Sequence, residues 1–195
     1  MTRRVEFLFD LASPAAYLAW TQLPALAART GAEIDYRPVL LGGIFKSVGN
    51  ASPVTLEAKG RWFRLDMDRH AARYGVPLVW PQRFPLDGLP LMRGAVAAER
   101  AGRLVEYGDA IYGGMFGRGL DMNDPDILAD VLSAAGFDPD ALMAQAQSPE
   151  VKQALRAATD AAVALGVFGV PTFFIGGEMW FGQDRLGWVE EALAG

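Results

Sequence analysis

The sequence predicts an α/β fold in which a sheet built from the two ends of the chain is interrupted by an all-helical insertion. Three observations predict it. Runs rich in Val, Ile and Phe with strand character occur only near the two ends, and apolar residues recur at helical spacing between them. No linker or repeat divides the chain, and 195 residues suit one domain with an insertion better than two large independent ones.

Val5–Asp10 is a short apolar run closed by Ala12-Ser13-Pro14, which suits a buried strand. Ser13 then Pro14 fits the N-cap and first position of a helix reaching Thr30-Gly31, with a kink expected at Pro24. Ile34, Tyr36 and Pro38 alternate with Asp35, Arg37 and Val39, so a second strand follows and the chain opens as a right-handed βαβ unit. Helices are expected over Lys59–Tyr74, Leu91–Tyr107, Asp126–Ala135, Pro139–Gln147 and Pro149–Leu165. Pro and Gly mark the breaks between them at Gly75-Val76-Pro77, Phe84-Pro85, Gly88-Leu89-Pro90, Gly113–Gly119 and Asp124-Pro125. Thr172–Ile175 and Glu178–Phe181, joined by Gly176-Gly177, form a hairpin, and Leu186–Leu193 closes the chain as a helix.

The composition removes whole classes of chemistry. The chain is 51% hydrophobic and 21% charged, enough to bury a sizeable core. Its 18 basic and 23 acidic residues give −5, with no basic run to track a phosphate backbone, so nucleic acid is not expected as a partner. The start, Met1-Thr2-Arg3-Arg4 followed by Val5–Phe9, is too short for a secretory leader or a membrane span, which reads as cytoplasmic with no membrane partner. There is no cysteine and one histidine, His70, so no disulfide exchange, thiol nucleophile or zinc-thiolate site exists on this chain. His70 shares a helix face with Asp66 and reads as a solvated helix histidine; no metal site is expected.

Gly169-Val170-Pro171-Thr172 ends a loop and feeds a strand. Between an N-terminal βα unit and a C-terminal ββα unit it resembles the cis-proline loop of the thioredoxin fold. There the residue before the proline offers its backbone N–H and C=O to a thiol-bearing peptide. The Val170–Pro171 peptide is therefore expected to be cis.

Further motifs narrow the resemblance. Phe9-Asp10-Leu11-Ala12-Ser13-Pro14 with Tyr17-Leu18-Ala19, Leu40–Lys46, Gly49-Asn50, Gly166–Thr172 and Gly182-Gln183-Asp184-Arg185 resemble the 2-hydroxychromene-2-carboxylate isomerase family. That family is similar to the kappa-class glutathione transferases and, in fold, to the bacterial disulfide oxidoreductases. The match spans nearly the whole chain and is looser in the middle, through Gly119–Pro125.

The resemblance implies a thioredoxin-like domain over residues 1–40 and 166–195, a helical insertion over 41–165, and a glutathione-dependent cis-trans isomerase of aromatic degradation. Its substrate pair would be 2-hydroxychromene-2-carboxylate and trans-o-hydroxybenzylidenepyruvate, or a close analogue. Ser13 takes the position of the reactive cysteine of the redox relatives, with Ala16 at the second thiol, so redox exchange is excluded. What remains is a hydroxyl at a helix start, where N–H groups and the helix dipole favour a thiolate. One charge-assisted hydrogen bond, about 1.5–3 kcal/mol, is enough to ionise much of a thiol near neutral pH.

In the same reading Val170 and Pro171 align the cysteinyl backbone of glutathione, and Gln183, Asp184 and Arg185 hold its γ-glutamyl end. Lys46, Asn50, Phe84 and Arg93 belong to the pocket over the thiol, Lys46 or Arg93 pairing with a substrate carboxylate. Trp62, Trp80 and Trp180 either line an aromatic pocket or belong to the core. Asp87 stands where the family often has Asn and would repel a carboxylate. A homodimer is expected by analogy. A kappa-like transferase that keeps its conjugate, and a non-enzymatic module that binds a peptide at the Pro171 loop, are the alternatives.

Overall fold

The structure, a computed structural model, describes residues 3–194. Met1 and Thr2, part of the start read as lacking a leader, and Gly195 lie outside the described residues. Four strands form one mixed sheet: β1 (Arg4–Phe9), β2 (Glu33–Pro38), β3 (Thr172–Ile175) and β4 (Glu178–Phe181), in the order β2-β1-β3-β4. β1 pairs parallel with β2 and antiparallel with β3, which pairs antiparallel with β4. The two ends of the chain thus share one sheet, as the sequence predicts. The fold is thioredoxin-like with a helical insertion.

β1 is central because its apolar residues face both sides. Phe7 and Phe9 are fully buried against Trp20, each contributing about 1.5–3 kcal/mol of burial. α1 (Pro14–Thr30) starts at Ser13 and ends at Gly31, whose φ of 68° needs no Cβ. It continues past Pro24, where a kink was expected. In the hairpin, Gly176 and Gly177 both have positive φ, as a two-residue turn of this hand requires. The Val170–Pro171 peptide is cis as expected, and so is Phe84–Pro85.

Between β2 and β3 run α2 (Leu41–Val48), α3 (Glu57–Tyr74), α4 (Leu89–Arg100), α5 (Leu104–Tyr112), α6 (Pro125–Ala134), α7 (Pro139–Ala146) and α8 (Pro149–Ala164); α9 (Leu186–Ala194) closes the chain. Three features depart from the sequence reading. α2 has no counterpart in it. The single helix expected over Leu91–Tyr107 is two, because Gly102 turns left-handed and the Arg103 guanidinium caps the carbonyls of Ala135 and Gly136 at the end of α6. Gly113–Gly117, expected as a break, continues α5 as a widened π turn. His70 is also not solvated: its side chain is 18% exposed, and its buried Nδ1 has no partner among the described residues.

Candidate active site

A cleft of about 840 Å³ opens between the start of α1, α2, α3, the 84–89 segment and the loop entering β3. Its size and mostly apolar wall suit a small organic ligand with a few polar contacts. Phe45, Trp62, Phe63, Met67 and Phe84 supply the apolar wall, with Trp62 59% exposed at its edge.

Ser13 stands on this cleft at the first turn of α1. The turn forms because Ser13 N–H donates to Asp10 O (3.0 Å), and Ser13 Oγ accepts from Ala16 N–H (3.2 Å). That bond uses a lone pair, so the hydroxyl proton stays free to donate to an anion. Val170 and Pro171 lie in the same cleft, brought there by the pairing of β1 with β3. Among the described residues no other backbone group pairs with Val170 N–H or C=O.

Gln183, Asp184 and Arg185 form a 3₁₀ turn on the cleft, running into α9. Gln183 is buried, and its carbonyl accepts from the Tyr74 hydroxyl of α3 (2.7 Å). Asp184 pairs with Arg185, whose guanidinium lies over Trp188. Asn50 lines the cleft and donates to Phe168 O (3.0 Å), and Phe84 packs edge-on to Trp80.

Two expected residues stand elsewhere. Lys46 lies exposed on α2 outside the cleft wall, because two residues on from the buried Ile44, about 200° around the helix, its side chain faces solvent. Arg93, on α4, reaches Gln147 at the end of α7 (3.5 Å) and does not line the cleft. The cations that do line it are Lys59 of α3 and Arg185. Trp62 faces the cleft, whereas Trp80 and Trp180 pack against the core.

Sequence reasoning also missed Asp10. It is 1% exposed yet lines the cleft, with Oδ1 accepting from Ala12 N–H (2.8 Å) and Oδ2 from Leu41 N–H (2.7 Å). Burial pushes its pKa from 3.8 up to about 6; the bonds from Leu41 and Ala12 pull against it, and Asp87 adds a smaller push. The available signal was an acid ending an otherwise apolar strand, three residues before Ser13. Asp87 lines the cleft as expected, its Oδ1 accepting from Leu89 N–H (3.0 Å).

Among the described residues no group of His, Asp or Glu is placed to hold a metal, and no helix is long and apolar enough to cross a membrane.

Residues 4–194 match the DSBA-like thioredoxin domain family. A 2-hydroxychromene-2-carboxylate isomerase from Sphingobium xenophagum is 34% identical over 99% of this chain and 99% of that protein. A solved structure titled 2-hydroxychromene-2-carboxylate isomerase superposes with a TM-score of 0.89 at 31% identity, covering 97% of this chain and 94% of that one. Glutathione S-transferase kappa 1 of Homo sapiens is 27% identical over 95% of this chain and 88% of that protein. With its Ser13 turn and Val170–Pro171 loop in one cleft, the chain belongs to the DSBA-like thioredoxin domain family and, within it, to the 2-hydroxychromene-2-carboxylate isomerases.

Proposed function

We propose that the protein is a glutathione-dependent cis-trans isomerase that interconverts 2-hydroxychromene-2-carboxylate and trans-o-hydroxybenzylidenepyruvate, or a close analogue. One observation carries the reading. A hydroxyl with an unspent proton, at the buried start of α1, shares an aromatic-walled cleft with the unpaired backbone of Val170. These groups fit a tripeptide thiol, and the chain has no thiol of its own.

When bound, glutathione would supply a thiolate able to add to the conjugated double bond of the ring-opened substrate, a bond that could then rotate as a single bond until the thiolate left and restored it in the other geometry. Ser13 O–H donates to that thiolate, and the N–H groups of the first turn of α1 add their dipoles. Val170 holds the cysteinyl backbone as one rung of antiparallel pairing. Pro171, Gln183, Asp184 and Arg185 form the bed for the peptide, with Asp184 receiving the ammonium. Lys59 and Arg185 are the cations that line the cleft, so the carboxylates of ligand and substrate fall to them. Asn50 and Phe84 shape the substrate end. The same proposal divides the chain into a thiol-activating domain, 1–40 and 166–195, and an aromatic-binding helical insertion, 41–165, and makes the protein a cytoplasmic homodimer. A 21 kDa species in sedimentation would remove the dimer.

The purified protein is expected to interconvert the two carboxylates only when glutathione is present. S-methylglutathione, which has no free thiol, should inhibit and not support turnover. Conversion without glutathione, or equal conversion with the S-methyl derivative, would overturn the proposal. The similarity to a kappa transferase supports a second reading, in which the conjugate is released intact. With a chlorinated nitrobenzene as electrophile, a stable thioether product would favour it.

A further inference from the structure

Asp10 is, among the described residues, the one buried Asp, Glu, Lys, Arg or His. A carboxylate in such a place is costly, and a neutral acceptor would serve a purely structural bond. Its contacts explain why it is there. Ala12 N–H on Oδ1 and Ser13 N–H on the backbone carbonyl both belong to the turn that presents Ser13. Leu41 N–H on Oδ2 is the first amide of α2, the opposite wall. Tyr112 of α5 donates to the Asp10 carbonyl (3.0 Å). Gly88 brings the 84–89 segment down on the carboxylate: a Cβ there would stand 2.8 Å from Oδ1. The titratable groups that face it are Asp87 from that segment and Tyr112 from α5, and no cation pairs with it among the described residues.

We propose that Asp10 is a positioning residue of this site: its ionised carboxylate holds the Ser13 turn and the start of α2 in one frame, and protonation releases that frame and silences Ser13. The proposal rests on the reading of Ser13 as donor to a bound thiolate. An ionised carboxylate accepts at both oxygens, whereas the neutral acid carries its proton on one of them and holds only one of the two walls as before. The midpoint of that change falls near pH 6.

The test has one arm that needs no ligand. In the free protein, amide chemical shifts of Ala12 and Leu41 followed by NMR should move together with a single midpoint near pH 6. In the glutathione-dependent assay kcat should show a fall with the same midpoint on the acid side, beside the limb set by the thiol's own ionisation. Asp10→Asn should lack the amide step and the fall near pH 6, keeping only the limb set by the thiol's own ionisation, with kcat about tenfold below the parent's plateau, the size of one lost charge-assisted bond. Leu41→Pro deletes the N–H on Oδ2 and exchanges the half-buried Leu41 side chain for a smaller apolar ring. It is tolerated because Leu41 is the first helical residue and Leu40 before it is extended (φ −94°, ψ 107°). Losing that bond should move the kcat midpoint upward together with that of the Ala12 amide, whereas with a merely structural Asp10 only the amide midpoint would move. Separate midpoints for the two amides, or a fall near pH 6 that persists unshifted in Asp10→Asn beside the thiol's own limb, would overturn the proposal. If no chromene carboxylate is turned over, the functional reading fails by itself, and the amide titration decides for or against the Asp10 frame. If Asp10→Asn does not fold, the parent and Leu41→Pro profiles decide.

Discussion

The two sides of the cleft are built by different means. The sheet side offers backbone: the Ser13 turn, the Val170 amide and carbonyl, and the turn at Gln183–Arg185, held by strand pairing and caps. The helical side offers side chains: Phe45, Lys59 and Trp62 on packed helices and Phe84 on the segment that leads into α4. Backbone presentation follows from local rules of sequence, whereas which face of a helix meets a cleft depends on how several helices pack. Under the proposed function the sheet side would govern the thiol and the helical side the substrate, so variants on each should fail differently.

The largest effect belongs to the residue that joins the two sides. Asp10 has a folded pKa near 6, above its ordinary 3.8. Its protonation therefore adds stability below about pH 4, and that contribution is lost as pH rises through 6. Urea midpoints of the parent and Asp10→Asn should converge or cross accordingly, the difference shifting by roughly 3 kcal/mol between the two limits. A constant difference would place the carboxyl in water. Next comes Ser13→Ala, with an expected rate loss on the order of ten- to a hundredfold near neutral pH and glutathione affinity nearly kept. That loss should shrink as pH approaches the free thiol's pKa of about 8.5. Loss of glutathione binding instead would mean that Ser13 holds the ligand, and that the division of roles between the two sides fails.

On the helical side, Lys59→Met should raise the KM for a carboxylate substrate or for glutathione about tenfold with a smaller change in kcat. Steady-state kinetics with each ligand varied in turn identifies which. Asp87→Asn keeps an acceptor for Leu89 N–H and removes a like charge, so kcat/KM for carboxylate substrates should rise by roughly two- to threefold. Lys46→Gln and Arg93→Gln should change both constants by less than about twofold, since neither side chain lines the cleft. A carboxylate KM that moves with either of them would return the substrate cation to the places first expected.

The same contrast explains what could be read from the chain. Ser13-Pro14 and Gly176-Gly177 each carry their own conformational instruction, so α1 and the hairpin were legible to the residue. α2 was not, because Leu41-Gly42-Gly43 has poor helix propensity and its first amides are held from a distance, Leu41 by Asp10 and Leu40 by Thr159 of α8. The break between α4 and α5 was hidden by apolar spacing that runs on across it. Of the residues that line the cleft, Ser13, Val170, Pro171 and the Gln183–Arg185 turn were picked out by the family resemblance of the motifs that carry them. Lys59 reads as an ordinary solvated helix charge until α3 is packed beside the Ser13 turn.

Two cross-links described above have a kinetic consequence. Asn50 of the helical side is bonded to Phe168 O, and Tyr74 of α3 to Gln183 O, so two bonds tie the helical side to the sheet side. Widening the cleft would break both bonds, each with a net contribution of about 0.5–1.5 kcal/mol, together with the packing around them. Ligands therefore enter a preformed receptor instead of triggering closure. Observed association rates should rise linearly with ligand concentration and show no plateau from a slow conformational step.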